Sequence, residues 1–404
     1  MLEKLTLEDL DVAGKRVLVR VDFNVPLGET DGVTVITDDR RIVSSLPTIR
    51  YLVDHGARVV LMSHMGRPKG QRVEGLSLLP VAGRLAKLLG KSVTLAPDCV
   101  GESVQELVDT VQPGEVLLLE NLRFHEAETD NSPEFARQLA SLADLYVNDA
   151  FGAAHRAHAS TVGVTEDIEL CAAGVLLRKE LDFLGGALAQ PERPFVGILG
   201  GAKISSKITV IDALLEKVDT LLVGGAMSYT FFKCQGHEIG KSLFEEGQEE
   251  HVRRIQEKVG SSSGVSLVLP TDCVVASDPS AHESRRVVTY DGIPADLEAF
   301  DIGPETAERY AGIVRSAKTV IWNGPMGMFE VDAFAAGTNA VAAALVEATA
   351  AGATTVIGGG DSAASIQKAG LEDKVSHVST GGGASLEFLE GKVLPGVAAL
   401  TDAS

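Results

Sequence analysis

Val356-Ile357-Gly358-Gly359-Gly360-Asp361-Ser362, in the C-terminal half of a 404-residue chain, is the stretch on which the reading of the fold turns. The apolar run 353–357 reads as a buried strand, three glycines turn the chain, and Asp361 and Ser362 bring N-cap chemistry to a helix over 361–369. Strand, glycine turn and helix N-terminus together make an anion site. The glycines let backbone N–H groups approach a phosphate, and the helix dipole favours negative charge. An aspartate in that turn repels phosphate unless a cation lies between them, so the pattern points to metal-bound phosphate. An ordinary βα turn reads the same way, and the rest of the chain has to decide.

The alternation of strand and helix extends in both directions. Strands are expected at 195–199, 220–223, 266–269, 319–322, 353–357 and 375–378, with helices over 205–217, 246–259, 304–317, 333–350 and 361–369. Earlier, strands are expected at 16–21, 57–62, 116–120 and 145–148, with helices over 38–55, where Pro47 costs a local break, and 78–89. The stretch 173–190 carries Leu177, Leu181, Leu184 and Leu188 at helical spacing and ends at Pro191 and Pro194, so it reads as a bridging helix. The fold class is α/β: two doubly wound, Rossmann-like domains, each a mostly parallel sheet flanked by helices, facing each other across a cleft.

Composition narrows the function. Net charge is −20, which disfavours nucleic-acid or anionic-membrane partners, since both need a positive field. An anionic ligand then requires arginines concentrated locally. The start of the chain carries no signal-peptide core and no run reaches 18 apolar residues, so a cytoplasmic protein is expected. Cys99, Cys171, Cys234 and Cys273 lack metal-ligand spacing and read as buried, reduced thiols.

In open α/β sheets ligands sit beyond the C-terminal strand ends. After the strands of the first half come Asp22, Asn24, His64, Arg67, Arg123 and His125, joined by Arg156 and His158, with Arg40 and Arg41 opening the first helix. The second half offers glycine turns instead: Gly200-Gly201-Ala202-Lys203, Gly224-Gly225, Asn323-Gly324-Pro325-Met326-Gly327, Gly358 to Asp361, and Gly381-Gly382-Gly383. Guanidinium forks suit phosphate and carboxylate, so a small polyanion is implied for the first mouth. Of two near-motifs, one falls away and the other leaves a dehydrogenase only as a runner-up. Gly236 to Ser242 is one residue short of a P-loop and follows no strand, while the GxGxxA at Gly358, Gly360 and Ala363 lacks the acidic residue a dinucleotide ribose wants.

These strings resemble phosphoglycerate kinase over nearly the whole chain. The carriers are Arg20-Val21-Asp22-Phe23-Asn24-Val25-Pro26, Ser63-His64-Met65-Gly66-Arg67-Pro68, Glu120-Asn121-Leu122-Arg123-Phe124-His125, His155-Arg156-Ala157-His158, Leu199-Gly200-Gly201-Ala202-Lys203, Trp322-Asn323-Gly324-Pro325 and Ser379-Thr380-Gly381-Gly382-Gly383, besides the opening stretch. The resemblance implies magnesium-dependent, reversible phosphoryl transfer between ATP and 3-phosphoglycerate, giving ADP and 1,3-bisphosphoglycerate. It places the acid on Asp22, Phe23, Asn24, Arg41, His64, Met65, Gly66, Arg67, Arg123 and Arg156. Arg41 is chosen over Arg40 because Arg41-Ile42 and Pro47 keep the family's spacing. The nucleotide falls to Gly201, Lys203, Lys207, Gly225, Ala299, Asn323, Pro325, Glu330 and Gly358, Gly359, Gly360, Asp361 and Ser362, with Asp361 as the magnesium ligand and Glu330 on the ribose. Ala299 departs from the glycine many relatives carry there, which bears on the adenine seat.

The same resemblance divides the chain into 1–172 plus 386–404 for the acid, 173–190 as inter-domain helix and 191–385 for the nucleotide, and it favours a monomer. An ionised carboxylate acceptor needs no general base, so catalysis rests on positioning and charge neutralisation. Arg41, Lys203 and Lys207, with the helix start at Gly381 and Gly382, are the residues expected to supply it after the domains close.

Overall fold

The structure, a computed structural model, describes residues 4–30, 32–260 and 264–403; the expected polar start at Met1 to Glu3 lies outside them. The chain divides into two compact units, one running to Asp182 and resuming at Val393, the other spanning Phe183–Lys392. The dividing point falls inside the helix Val175–Ala189. Among the described residues no helix is long and apolar enough to cross a membrane.

The first unit holds β1 (Arg16–Arg20), a hairpin of β2 (Leu27–Thr30) and β3 (Val33–Ile36), then β4 (Arg58–Met62), β5 (Val93–Leu95), β6 (Val116–Leu118), β7 (Leu145–Asn148) and β8 (Cys171–Ala173). Apart from the hairpin they form one parallel sheet in the order β5-β6-β4-β1-β7-β8. Its inner strands are buried on both faces, which is why they read as unbroken apolar runs. Val17, Val19, Val59, Leu61, Leu118 and Val147 turn to one face and pack with Ile42, Leu46, Ile49 and Leu52 of the helix Arg40–Asp54. Each such side chain is worth roughly 1.5–3 kcal/mol of burial.

The last residues return to this unit and are stitched to it. Gly396 N donates to the Ala154 carbonyl at 2.9 Å, Thr401 N to Cys171 at 3.0 Å and Leu5 N to Thr401 at 2.9 Å. Lys4, 9 % exposed, donates to the carbonyls of Ala398 (2.9 Å) and Leu400 (2.7 Å) and to Asp402 (2.6 Å).

The second unit repeats the plan with β9 (Phe195–Leu199), β10 (Thr220–Val223), β11 (Ser266–Val268), β12 (Asp272–Ala276), β13 (Arg286–Thr289), β14 (Glu298–Ile302), β15 (Thr319–Asn323), β16 (Thr354–Gly358) and β17 (His377–Val378). The parallel sheet runs β11-β10-β9-β15-β16-β17, and β13-β12-β14 form a separate antiparallel sheet that the strand reading above does not contain. Trp322, Val320, Ile198 and Ile357 pack against Tyr310 and Val314 of the helix Pro304–Ser316 and Val341 and Leu345 of Ala336–Ala350.

Strand order reverses between β1 and β7 in the first unit and between β9 and β15 in the second. Diverging connections at such a point leave a crevice at the C-terminal strand ends. Both expected mouths open there.

Candidate active site

In the first unit the chain leaving β1 is fixed before any ligand arrives. Arg41 Nη1 donates to both carboxylate oxygens of Asp22 (3.2 and 3.1 Å) and to the Asn24 carbonyl (3.0 Å). Asn24 Oδ1 accepts from Gly66 N at 2.9 Å, and Arg123 Nη1 donates to the Gly66 carbonyl at 2.8 Å. The loops after β1, β4 and β6 are thereby tied together. Asn121 reinforces this from below, accepting from Met65 N and Arg123 N and donating to the carbonyls of Met65 and Leu76. The side chains of Phe23 and Met65 belong to the hydrophobic core. Arg67 and Arg156 are exposed.

Beneath this mouth lies a residue not assigned from sequence. Arg20, fully buried at the end of β1, donates from Nε to Ser160 Oγ at 2.8 Å and from Nη2 to His64 Nδ1 at 3.2 Å. A guanidinium only donates, so His64 Nδ1 accepts and its proton sits on Nε2. Burial, then the charges of Arg20, Arg123 and Arg41, hold His64 well below the usual histidine range. Burial and the same Arg20 and Arg123 charges bring His158 down to about 4. Arg123 is lowered too, by burial and then by Arg20, and its Nε is buried without a hydrogen-bond partner. Ser160 Oγ in turn donates a hydrogen bond to buried Glu128 at 2.6 Å. The sequence marks Arg20 only by its place at a strand end and at the head of a family string, neither of which gives it a role, and its partner Ser160 lies far along the chain. His125, grouped above with the basic residues, instead meets Asp98 at 2.7 Å.

The second unit's mouth is built from interlocked backbone. Gly200 N donates to the Asn323 carbonyl, Gly201 N to Pro325 and Gly225 N to Met326, each at 3.0 Å. No side chain fits between these loops: a Cβ on Gly324, where φ is +98°, would stand 2.2 Å from the Gly200 carbonyl oxygen. Lys207 lies under them, 9 % exposed, donating to the Asn323 carbonyl at 3.3 Å and to its Oδ1. Burial lowers the Lys207 amine to about 8, and Asp361 pulls the other way.

The opening stretch needs one correction. Its helix is Gly360–Lys368 and the cap is Gly359, at a φ of +91° that suits glycine. Asp361 and Ser362 stand inside the first turn, and Ser362 Oγ accepts from Gly324 N rather than capping its own helix. The helix starts one residue early because glycine takes the left-handed corner. A second helix, Gly382–Leu389, begins against it: a Cβ on Gly382 would lie 3.0 Å from Gly360 N. Two helix N-termini thus point into one place, doubling the pull on an anion. Lys203 is exposed, and Glu330 is exposed with its carbonyl accepting from Lys368. Ala299 lies in β14, its methyl in an apolar cluster with Tyr229 and Phe232.

A family model described as phosphoglycerate kinase matches residues 7–392. The chain belongs to the phosphoglycerate kinase family. The phosphoglycerate kinase of Chlorobium chlorochromatii is 57% identical over 401 residues, 99% of this chain and 100% of its own. That of Moorella thermoacetica is 57% identical over 401 residues with the same coverage. Among solved structures, the phosphoglycerate kinase of Coxiella burnetii superposes with a TM-score of 0.86 at 42% identity, covering 98% of each chain. That from Pyrococcus horikoshii gives 0.83 at 34% identity, also covering 98% of each chain.

Phosphoglycerate kinases are phosphotransferases with a carboxyl acceptor, and their general reaction moves a phosphoryl group between ATP and 3-phosphoglycerate. The second mouth suits a metal–nucleotide. Asn323 Nδ2 is buried without a hydrogen-bond partner beside Gly359, and exposed Asp361 is the carboxylate in the phosphate turn. A donor without an acceptor and an anion beside an anion site both fit a phosphate carried with a cation.

Proposed function

We propose that this chain transfers the phosphoryl group with the acid held on the first unit and the nucleotide on the second. Asp22, Asn24, Arg41, His64, Arg67, Arg123 and Arg156 bind 3-phosphoglycerate. Gly201, Lys203, Lys207, Gly225, Asn323, Pro325 and the turn Gly358 to Ser362 carry ATP, with Glu330 toward the ribose and Ala299 toward the adenine. The observation that carries the reading is the concentration of positive charge after β1, β4 and β6. In a chain of net charge −20, burial first and then the charges of neighbouring arginines push His64, His158 and Arg123 away from their charged forms. Such a field is relieved by a polyanion.

The step itself needs no base. A carboxylate oxygen of 3-phosphoglycerate attacks the γ-phosphorus, a new O–P bond forms, the bond to the β-phosphate oxygen breaks, and ADP leaves with the electron pair. Arg41 and Lys203 neutralise the equatorial oxygens, while Lys207 and the helix start at Gly381 and Gly382 hold the transferred group. Asp361 holds magnesium, which when bound screens the phosphate charges from one another. His64, with its proton on Nε2, donates to the acid. Transfer requires the two substrates to be brought together with water kept out, since water is a competing acceptor. The protein acts as a monomer in the cytoplasm, where its small polar substrates are dissolved.

Paired titrations test the assignment. Lys203→Ala should lower kcat by about 10³-fold while leaving 3-phosphoglycerate affinity nearly intact. Arg123→Ala should do the reverse to binding, weakening the acid and sparing ATP. If Lys203→Ala loses the acid instead, the two mouths have been assigned the wrong way round.

A further inference from the structure

Among the described residues, one cluster of side chains could ligate a metal and takes no part in the proposed transfer. Asp98 and Cys99 follow β5, and His125 follows the turn after β6. These strands pair in parallel, Leu95 opposite Leu118, so both loops emerge at the same end of the sheet. A carboxylate oxygen of Asp98, the Cys99 sulfur and a His125 ring nitrogen all lie within 4.8 Å of one another. His125 Nε2 meets Asp98 Oδ1 at 2.7 Å, and Cys99 N donates to the same oxygen at 2.7 Å. The Cys99 side chain is buried, whereas Asp98 and His125 are 37% and 31% exposed, so the sulfur lies beneath a solvent-open pair. The loop is held in place: Arg72 donates to the Pro97 carbonyl at 2.8 Å and Glu120 N to the Asp98 carbonyl at 3.3 Å.

We propose that Asp98, Cys99 and His125 form a three-ligand site for one thiophilic divalent cation of the zinc type. Sulfur, imidazole nitrogen and one carboxylate are the donor set zinc takes, and they leave a fourth, solvent-facing position for water. Magnesium prefers oxygen ligands and does not compete for the sulfur. Zinc–nitrogen and zinc–oxygen bonds of about 2.0 Å place the two ligand atoms roughly 3.3 Å apart in a tetrahedron. The Asp98–His125 pair therefore opens by about half an ångström. On binding, the Cys99 thiol proton passes to solvent and the proton that His125 Nε2 offers Asp98 leaves that nitrogen, the ring holding its single proton on Nδ1 through exchange with solvent, so the cation, carboxylate and thiolate sum to zero charge. Charge balance of that kind is what a half-buried site requires.

The test uses the full chain, reduced with a non-chelating phosphine, in excess magnesium so that oxygen-only sites are filled. Cobalt(II) is titrated in and read by absorbance. One equivalent per chain should raise a thiolate-to-cobalt charge-transfer band with tetrahedral visible absorption, and zinc should displace both. Cys99→Ser should abolish the charge-transfer band. Asp98→Asn should weaken cobalt binding at least about 10-fold, since even residues behind metal ligands cost that much. Kinase activity without added zinc should be unchanged in both variants and doubles as the folding check. Absence of the band in the wild-type chain, or an equal band in Cys99→Ser, overturns the site; if Cys99→Ser does not fold, an unaltered titration in Asp98→Asn does so.

Discussion

Lys207 is a proposed site residue whose charge responds to pH not far above neutrality. Burial favours its neutral amine and brings its pKa to about 8, against the partial support of Asp361. The free enzyme therefore loses this cation as pH rises through about 8, and bound phosphate restores it. The expected outcome is a fall in kcat/KM for ATP above that pH, with kcat itself less affected. Lys207→Arg should flatten the limb, and an unchanged limb in that variant would count against the assignment. Arg41 makes a second prediction. Its bonds to Asp22 and the Asn24 carbonyl all use Nη1. Arg41→Ala should lower kcat by about 10³-fold or more; steady-state assays retaining a tenth of the activity would remove it from the mechanism. Arg20 shows where reading single residues stops. A strand-end arginine looks like a ligand-facing one, and only the fold tells that it lies fully buried under His64.

At the level of elements, the glycine turns of the second unit are close-packed loops as well as anion seats. Gly324 and Gly352 both have positive φ, +98° and +92°, but only Gly324 faces backbone within reach of a Cβ. Alanine at either position pays the conformational strain, more than about 1 kcal/mol. Gly324→Ala should cost clearly more than Gly352→Ala in thermal unfolding, and should also weaken ATP in a binding titration; equal losses would mean that the loops slide apart freely. The longer parallel strands were legible because burial on both faces writes them as apolar runs bounded by glycine or polar residues; the three-residue edge strands β5 and β8 were not expected, being too short to write such a run. The antiparallel sheet was not, since β13 is largely exposed and mixes Arg286 with Val287 and Val288. Ser362 was misread for a related reason: its acceptor role depends on Gly324, 38 residues earlier and on another strand's loop. Most residues proposed for the two mouths stand in loops that follow strands, the one place an open sheet can present them, whereas Ala299 lies within β14.

For the whole molecule, the deciding connection is the return of the last segment to the first unit. Lys4 is a buried cation whose donors are spent on Ala398, Leu400 and Asp402. Lys4→Ala should cost about 1.5–3 kcal/mol, the range for hydrogen bonds to a charged group. Hydrogen exchange should then quicken at Gly396 and Thr401, whose amides are bonded within that segment's seat, and stay unchanged in β15. Uniform quickening would show that the contact serves the entire chain. The same connection sets an order of events during synthesis. A ribosome usually releases domains that fold one after another from the N-terminus. Here the residues that complete the first unit are translated only after Lys392, the last residue of the second. The unit begun first is therefore completed after the second, and until residues 393–403 are made its Lys4 seat and the edge at β8 wait open for a segment still to come.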